Sequence, residues 1–301
     1  MRIRGSRSVS LPVKVALFTV GVVTVSGCSS QKQVASGDAE ALAGRARQVA
    51  AAWDGSTAAA AWRAGYYPMG EEVQLPRGGW RDQADRQAYE QGGFALRAKL
   101  PDTRPKNGRV TWTGGESLAR PLVGADESYK ALASGRVNGK SHLTVTGARL
   151  GEMTLVTSRG PATVSAWLFN IDGYASPLKR AAAVPSRFPR PPIGPARDIP
   201  GVPINRLVRI SADGRSVTVV ALRGVCDGGS NVDVLETNGS VVLSASANGR
   251  KHGSNCTKQA RLQQVTVTLG RSLDSRVLLD GYTGQPVAYK GLRGLSPSGS
   301  R

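Results

Sequence analysis

"RLVRISADGRSVTVVALRGVCDGGSNVDVLETNGSVVLSASA", Arg206 to Ala247, carries four short runs rich in Val, Ile, Leu and Thr, separated by turn dipeptides. Asp213-Gly214 divides the first two runs and Asn238-Gly239 divides the last two. β-branched runs suit a pleated surface, and Asn-Gly between two of them is the strongest short-range hairpin signal. Two hairpins are therefore predicted. Downstream, "ARLQQVTVTL" (260–269), "SRVLLDG" (275–281) and "QPVAYK" (285–290) add further strands. Short strands with turn signals at near-regular spacing predict a small antiparallel β-sandwich or barrel over residues 205–290. All five tryptophans lie upstream of it, so its own core is modest.

The cysteines bear on how such a unit is held. There are three: Cys28, Cys226 and Cys256. The last two sit in similar polar, glycine-rich contexts and are expected to pair. The bridge would close a loop of about 30 residues, worth roughly 3.5 kcal/mol in the chain-entropy treatment. A metal or redox role has neither a CxxC spacing nor a nearby His–carboxylate set behind it.

Upstream of the β unit, "VPSRFPRPPIGPARDIPGVP" (Val184 to Pro203) holds seven of the 17 prolines. Proline fixes φ and removes a donor, so residues 185–204 read as an extended, semi-rigid linker. Residues 38–184 read as a mixed unit, giving an overall α+β fold class. Leu42, Ala46, Val49 and Trp53 recur at helical spacing, a short helix follows Ser56, and "RDQADRQAYEQGG" (81–93) reads as a helix stopped by Gly92 and Gly93. A further helix begins near Asp126, which serves as its cap, and "FALRAKL", "RVTWT", "HLTVTG", "EMTLVTS" and "ATVSAWLFNIDG" read as strands. The last residues, 291–301, read as a disordered tail.

The first thirty residues give an address. Arg2, Arg4, Arg7 and Lys14 precede an apolar core of 11 residues, Val15 to Val25. As a helix that spans about 16 Å, short of the roughly 20 residues a bilayer crossing needs. This is the layout of a secretory signal. Val25, Ser26, Gly27 and Cys28 then resemble the lipobox of bacterial lipoproteins, with residues 1–27 removed and Cys28 carrying the lipid. Two acyl chains on one residue hold more firmly than the marginal grip of one. Residues 28–37 read as a solvated tether. The expected localisation is the outer, extracytoplasmic face of the cell membrane.

Without the signal, 36 basic and 21 acidic residues remain, a net charge of +15. Such a balance attracts anionic partners. The arginines are evenly spread, with no run, stripe or aromatic-interleaved cluster, so nucleic acid is not an expected partner.

The chemistry-bearing residues are sparse. Histidine occurs only at His142 and His252, too few for a histidine-rich zinc site, and neither has a GxSxG partner. "SPLK", Ser176 to Lys179, matches SxxK, but no SDN or KTG follows. Glu71 with Glu72, and Asp126 with Glu127, are adjacent pairs that face apart; Glu116 and Asp172 are isolated loop acids. No catalytic residue, metal site or cofactor is assigned. The densest aromatic stretch is "AWRAGYYPMG", Ala61 to Gly70. Trp62, Tyr66, Tyr67 and Met69, with Trp80 behind them, are the candidate binding surface, against the alternative that they are core. The surface reading requires two or more of the rings to be exposed to solvent.

The lipobox, the run Leu143 to Tyr174, the proline-rich joint and "ISADGRSVTVVALRGVCDGG" (Ile210 to Gly229) together resemble a group of uncharacterised lipoproteins of GC-rich actinobacteria. The resemblance covers most of the mature chain. It implies surface anchoring and a disulfide-tied β unit, and it brings no catalytic residues. The expected function is a non-catalytic binding or assembly module of the cell envelope, engaging a protein or wall polymer. The alternatives are an envelope glycan or peptide hydrolase, and electrostatic attachment to anionic wall polymers.

Overall fold

The computed structural model describes residues 30–102, 107–134, 142–249 and 259–289. Its spine is an antiparallel pair, β5 (Leu143–Thr157) and β6 (Gly160–Ile171), laddered from Thr157 opposite Gly160 back to Val145 opposite Ile171. "HLTVTG" and "EMTLVTS", expected as separate strands, are one. Gly147 and Gly151, which suggest turns, instead serve the ladder. The strand bulges between Val145 and Gly147, and a Cβ on Gly151 would come 2.9 Å from both methyls of Leu168. Glycine there marks close packing, not a reversal.

The free edge of β6 is shared. β3 (Asn107–Trp112) pairs with its first half and β7 (Leu178–Ala181) with its second. β4 (Ser117–Pro121) extends β3, β1 (Val73–Gln74) extends β7, and β2 (Phe94–Leu96) runs parallel to the start of β5. Two short helices flank this sheet. α3 (Gln83–Gln91) starts where Asp82 accepts the Asp85 N–H at 2.8 Å and stops at Gly92 in the left-handed region, φ 69°. α4 (Ala125–Leu132) begins after Gly124 with no side-chain cap, so Asp126 sits in the first turn and ion-pairs with Lys130 at 2.7 Å instead of capping. Val110, Val164, Phe169, Leu178 and Leu143 centre the core of this lobe.

The two predicted hairpins form a second lobe. β8 (Ile204–Ile210) and β9 (Ser216–Gly224) pair around Asp213-Gly214, with β12 (Ala260–Thr268) on the far side of β9. β10 (Ser230–Glu236) and β11 (Ser240–Ala247) pair around Asn238-Gly239, with β13 (Val277–Asp280) beyond β11. The expected all-antiparallel arrangement needs one correction: β13 runs parallel to β11. Residues 285–289 contribute only isolated bridges. The turn at Gly239 lies close to Asp54, whose exposed carboxylate a Cβ there would meet at 2.6 Å.

That contact leads to the main departure from expectation. β12 alternates between exposed and covered positions, whereas β11 is buried at Ser240 to Ala245 on both faces. The second face is covered by α1 (Ser30–Trp53). Ala46, Val49, Ala50 and Trp53 of α1 share one core with Val241, Val242, Leu243 and Leu278. α2 (Thr57–Ala64), capped by the Ser56 hydroxyl, adds Ala58, Ala59 and Trp62. Residues 38–184 therefore divide between two cores. α1 also begins at Ser30, not near Asp38, so part of the expected tether 28–37 is helical.

The fold class is corrected accordingly. Among the described residues, strands β1 to β13 outnumber four helices, three of which have only eight or nine residues. The chain is predominantly β, not a balanced α+β, because the helices cover strands locally and never build a layer of their own. The linker 185–204 is likewise docked against the body. Cys226 lies in the turn after β9, while Cys28, Cys256, His252 and the tail 291–301 lie outside the described residues, so the bridge is not shown among them.

Trp53 is wholly buried, and its indole N–H donates to the Gly284 carbonyl at 2.8 Å. Trp53→Ala is expected to cost about 3–5 kcal/mol and to loosen the C-terminal sandwich first. Urea denaturation, with hydrogen exchange read on β11 and β13, checks both points.

Candidate functional site

The aromatic stretch is core. Trp62, Tyr66, Tyr67 and Met69 are each 3% exposed or less, so the binding-surface reading fails its own condition for these residues. The reason lies in the backbone. Extended neighbours point to opposite sides, and Tyr66 enters the core of the large sheet while Tyr67 enters that of the sandwich. The dense aromatics mark where the chain crosses from one core to the other. Trp62 stacks on Tyr67 with centroids 4.2 Å apart and planes 7° apart. Burial pushes the Tyr66 phenol well above its ordinary range, and its hydroxyl has no partner among the described residues.

Trp80 alone of that set is half-buried, and it leads to a polar cleft. Its ring packs on Tyr89 and meets Tyr174 edge-on at 5.8 Å. In front of these rings, Arg81, Asp85, His142, Leu143, Thr144, Asp172 and Gly173 line an open cavity of about 370 Å³. Three elements converge there: the first turn of α3, the start of β5 and the turn that follows β6.

Asp85 is the hub. It stands in the first turn of α3, where the helix dipole favours a carboxylate. Its Oδ2 accepts the Tyr174 hydroxyl at 2.6 Å and the Arg81 Nε–H at 3.1 Å. The Arg81 backbone N–H donates to the same Tyr174 oxygen at 3.1 Å, and its guanidinium lies 4.7 Å from the Tyr174 ring centre. The hydrogen bond to Asp85 raises the Arg81 pKa further, so the cation is secure. Gly173 is required by its backbone, φ +75°; a Cβ there would also displace the Arg81 guanidinium, whose Nη1 would lie 2.3 Å away. On the other side, Asp172 pairs with Arg97 at 3.1 Å, both more than half exposed. The Asp172 N–H donates to the Thr144 carbonyl, which sets the turn against β5.

Of the sequence candidates, only His142 and Asp172 line this cleft. Ser176 is occupied otherwise, accepting the Arg77 N–H at 2.6 Å. Glu116 pairs with Arg159. Glu71 lies near Tyr289, whose phenol is raised by burial and then by Glu71, and burial lifts the Glu72 carboxyl above its ordinary range despite Arg180 nearby. Among the described residues no group of three or more His, Cys, Asp or Glu side chains could hold a metal ion. Arg81, Asp85 and Tyr174 escaped sequence reasoning. The i,i+4 spacing of Arg81 and Asp85 was legible, but the closing partner lies 89 residues downstream.

Burial, then the bond to Asp85, raises the Tyr174 phenol above its ordinary value. A raised folded pKa contributes stability that is fully present below the unfolded value, about 10, and is lost as pH rises through the folded one. Asp85→Asn removes the negative acceptor. It is expected to cost about 1–2 kcal/mol at pH 7 and to shrink the further loss above pH 10. Urea midpoints measured from pH 7 to 11 on both proteins check the sign.

The chain matches no protein-family model, no curated protein and no solved structure.

Proposed function

We propose that the mature chain is a lipid-anchored, extracytoplasmic binding module of the cell envelope, held by acyl groups on Cys28 and engaging a polar envelope ligand, such as a wall polymer or a partner protein, at the Arg81–Asp85–Asp172 cleft. The observation that carries the reading is the pairing within the cleft. Arg81, Asp85 and Tyr174 fix one another, and Arg97 steadies Asp172. A ligand then meets donors and acceptors already in place, which lowers the ordering cost of binding. An open, polar floor suits a hydroxyl-rich or peptidic ligand better than an apolar one. No helix among the described residues is long and apolar enough to cross a membrane.

The Cys226–Cys256 bridge belongs to the same proposal, since an exported chain meets oxidising conditions. The ends of the segment that carries Cys256 support it. Gly249 accepts the Gly228 N–H, and Gln259 accepts the Val225 N–H, each at 3.2 Å and each within two residues of Cys226.

Co-sedimentation of the soluble chain starting after Cys28 with purified cell walls tests the reading. Binding is expected to persist from low to moderate salt and to weaken about tenfold, or 1.4 kcal/mol, in Asp85→Asn. Binding that vanishes with salt, equally in both proteins, would reduce the +15 charge to diffuse attraction. In cells, Cys28→Ala is expected to move the protein out of the membrane fraction.

A further inference from the structure

The proline-rich segment 185–203 forms a docked strap. Seven of its 19 residues are proline, and three of the remaining N–H groups tie it to the body. The Ser186 N–H bonds the Tyr66 carbonyl at 2.8 Å, and the Ser186 hydroxyl accepts the Tyr66 N–H at 2.9 Å. The Ala196 N–H reaches the Tyr282 carbonyl at 2.7 Å, and the Val202 N–H reaches Ala245 at 2.9 Å. Arg120 holds the Val184 and Pro185 carbonyls, both at 2.8 Å. The strap is thus tied to the large sheet at one end and to the sandwich at the other.

Its outer side is basic and carries one aromatic ring. Arg187, Arg190 and Arg197 are exposed and form no ion pair among the described residues. The strap holds one acid, Asp198, exposed next to Arg197, so its charge is carried mainly by Arg187 and Arg190. Phe188 is 49% exposed, yet its ring is held 5.5 Å from Tyr67 and 5.7 Å from Trp62. Exposed cations on a docked backbone, beside a half-exposed ring held in place, suit an anionic bilayer interface, where the cations meet phosphates and the ring sits at headgroup depth.

The strap also lies along the anchoring helix. The Arg45 guanidinium of α1 donates to the Gly194 carbonyl, and Gly201 faces Leu42, whose methyl a Cβ would meet at 3.0 Å. α1 begins at Ser30, two residues after Cys28. From Ser30 to Leu42 the helix advances about 18 Å. Anchor and strap therefore come to one plane when α1 lies along the surface, and separate by that distance when it stands upright.

We infer that Phe188 and the strap arginines seat the protein on the anionic outer leaflet, with α1 recumbent. This rests on the proposed Cys28 anchor. The test uses the lipidated chain carrying Phe188→Trp, reconstituted in vesicles of phosphatidylglycerol and phosphatidylcholine with brominated acyl chains. The native tryptophans are buried except Trp80, which is half-buried, so wild-type protein supplies the background. Emission from the introduced indole is expected to fall about twofold, and to recover when Arg187, Arg190 and Arg197 are all changed to Glu. Unquenched emission, or quenching that ignores the charge reversal, overturns the inference. The intact mass of the same sample separates the two readings. Lipidated protein with unquenched emission sinks the strap alone. Protein found without lipid that is still quenched, reversibly with charge, sinks the anchor alone.

Discussion

The burial of Trp53 organises the molecule. A sheet of three strands offers two apolar faces, and one partner sheet covers only one of them. Val241, Val242 and Leu243 are consecutive and fully buried, so both faces of β11 need a cover. α1 supplies the second, and its last residue locks the contact through the Gly284 carbonyl. Arg45 adds a bond to Gly281 across 236 residues of chain. The sandwich thus depends on residues at the other end of the protein. Such distant closure is slow to form and favours late completion of the C-terminal core.

Once the helix is committed to the sandwich, the chain must cross into the large sheet, and the aromatic stretch makes that crossing. Trp62, Tyr67 and Met69 stay with the first core while Tyr66 turns to the second. A crossing of this kind concentrates large side chains in few residues. On a sequence it looks like a recognition surface, because density alone does not distinguish rings shared by two interiors from rings offered to solvent. Phe188, in a stretch read as linker, is the ring that remains half in water.

What was legible followed local rules. The hairpins at Asp213-Gly214 and Asn238-Gly239, the Ser56 cap and the Gly92 stop are each decided within a few residues, and each was readable. The rest was decided by distant partners. β4 and β7 are short and exist because β3 and β6 offer edges, and β1 exists because β7 offers the next one. The parallel pairing of β13 with β11 has no local signature at all. The cleft shows the same division: Asp172 and His142 stood out as residue types, but their meeting with Arg81, Asp85 and Tyr174 depends on the turn after β6 folding back onto α3. The balanced α+β expectation found the four helices but missed β1, β4 and β7, because periodic stretches reveal themselves more readily than strands of two to five residues.

The docked strap changes what the proposed anchor would mean for this chain. A solvated tether would let the body sample every orientation above the membrane. A helix that starts two residues after Cys28, the proposed lipidation position, and is pinned to the fold at Leu42, Arg45 and Trp53, would remove much of that freedom. The strap binds both lobes, and its prolines lower the entropy lost in ordering it. The cleft belongs to the large-sheet lobe, whereas α1 belongs to the sandwich. Whatever pose the proposed anchor would impose on the sandwich is passed through the aromatic crossing and the strap to the cleft. Orientation at the membrane and access to the ligand then become one structural problem, set by packing and not by linker length.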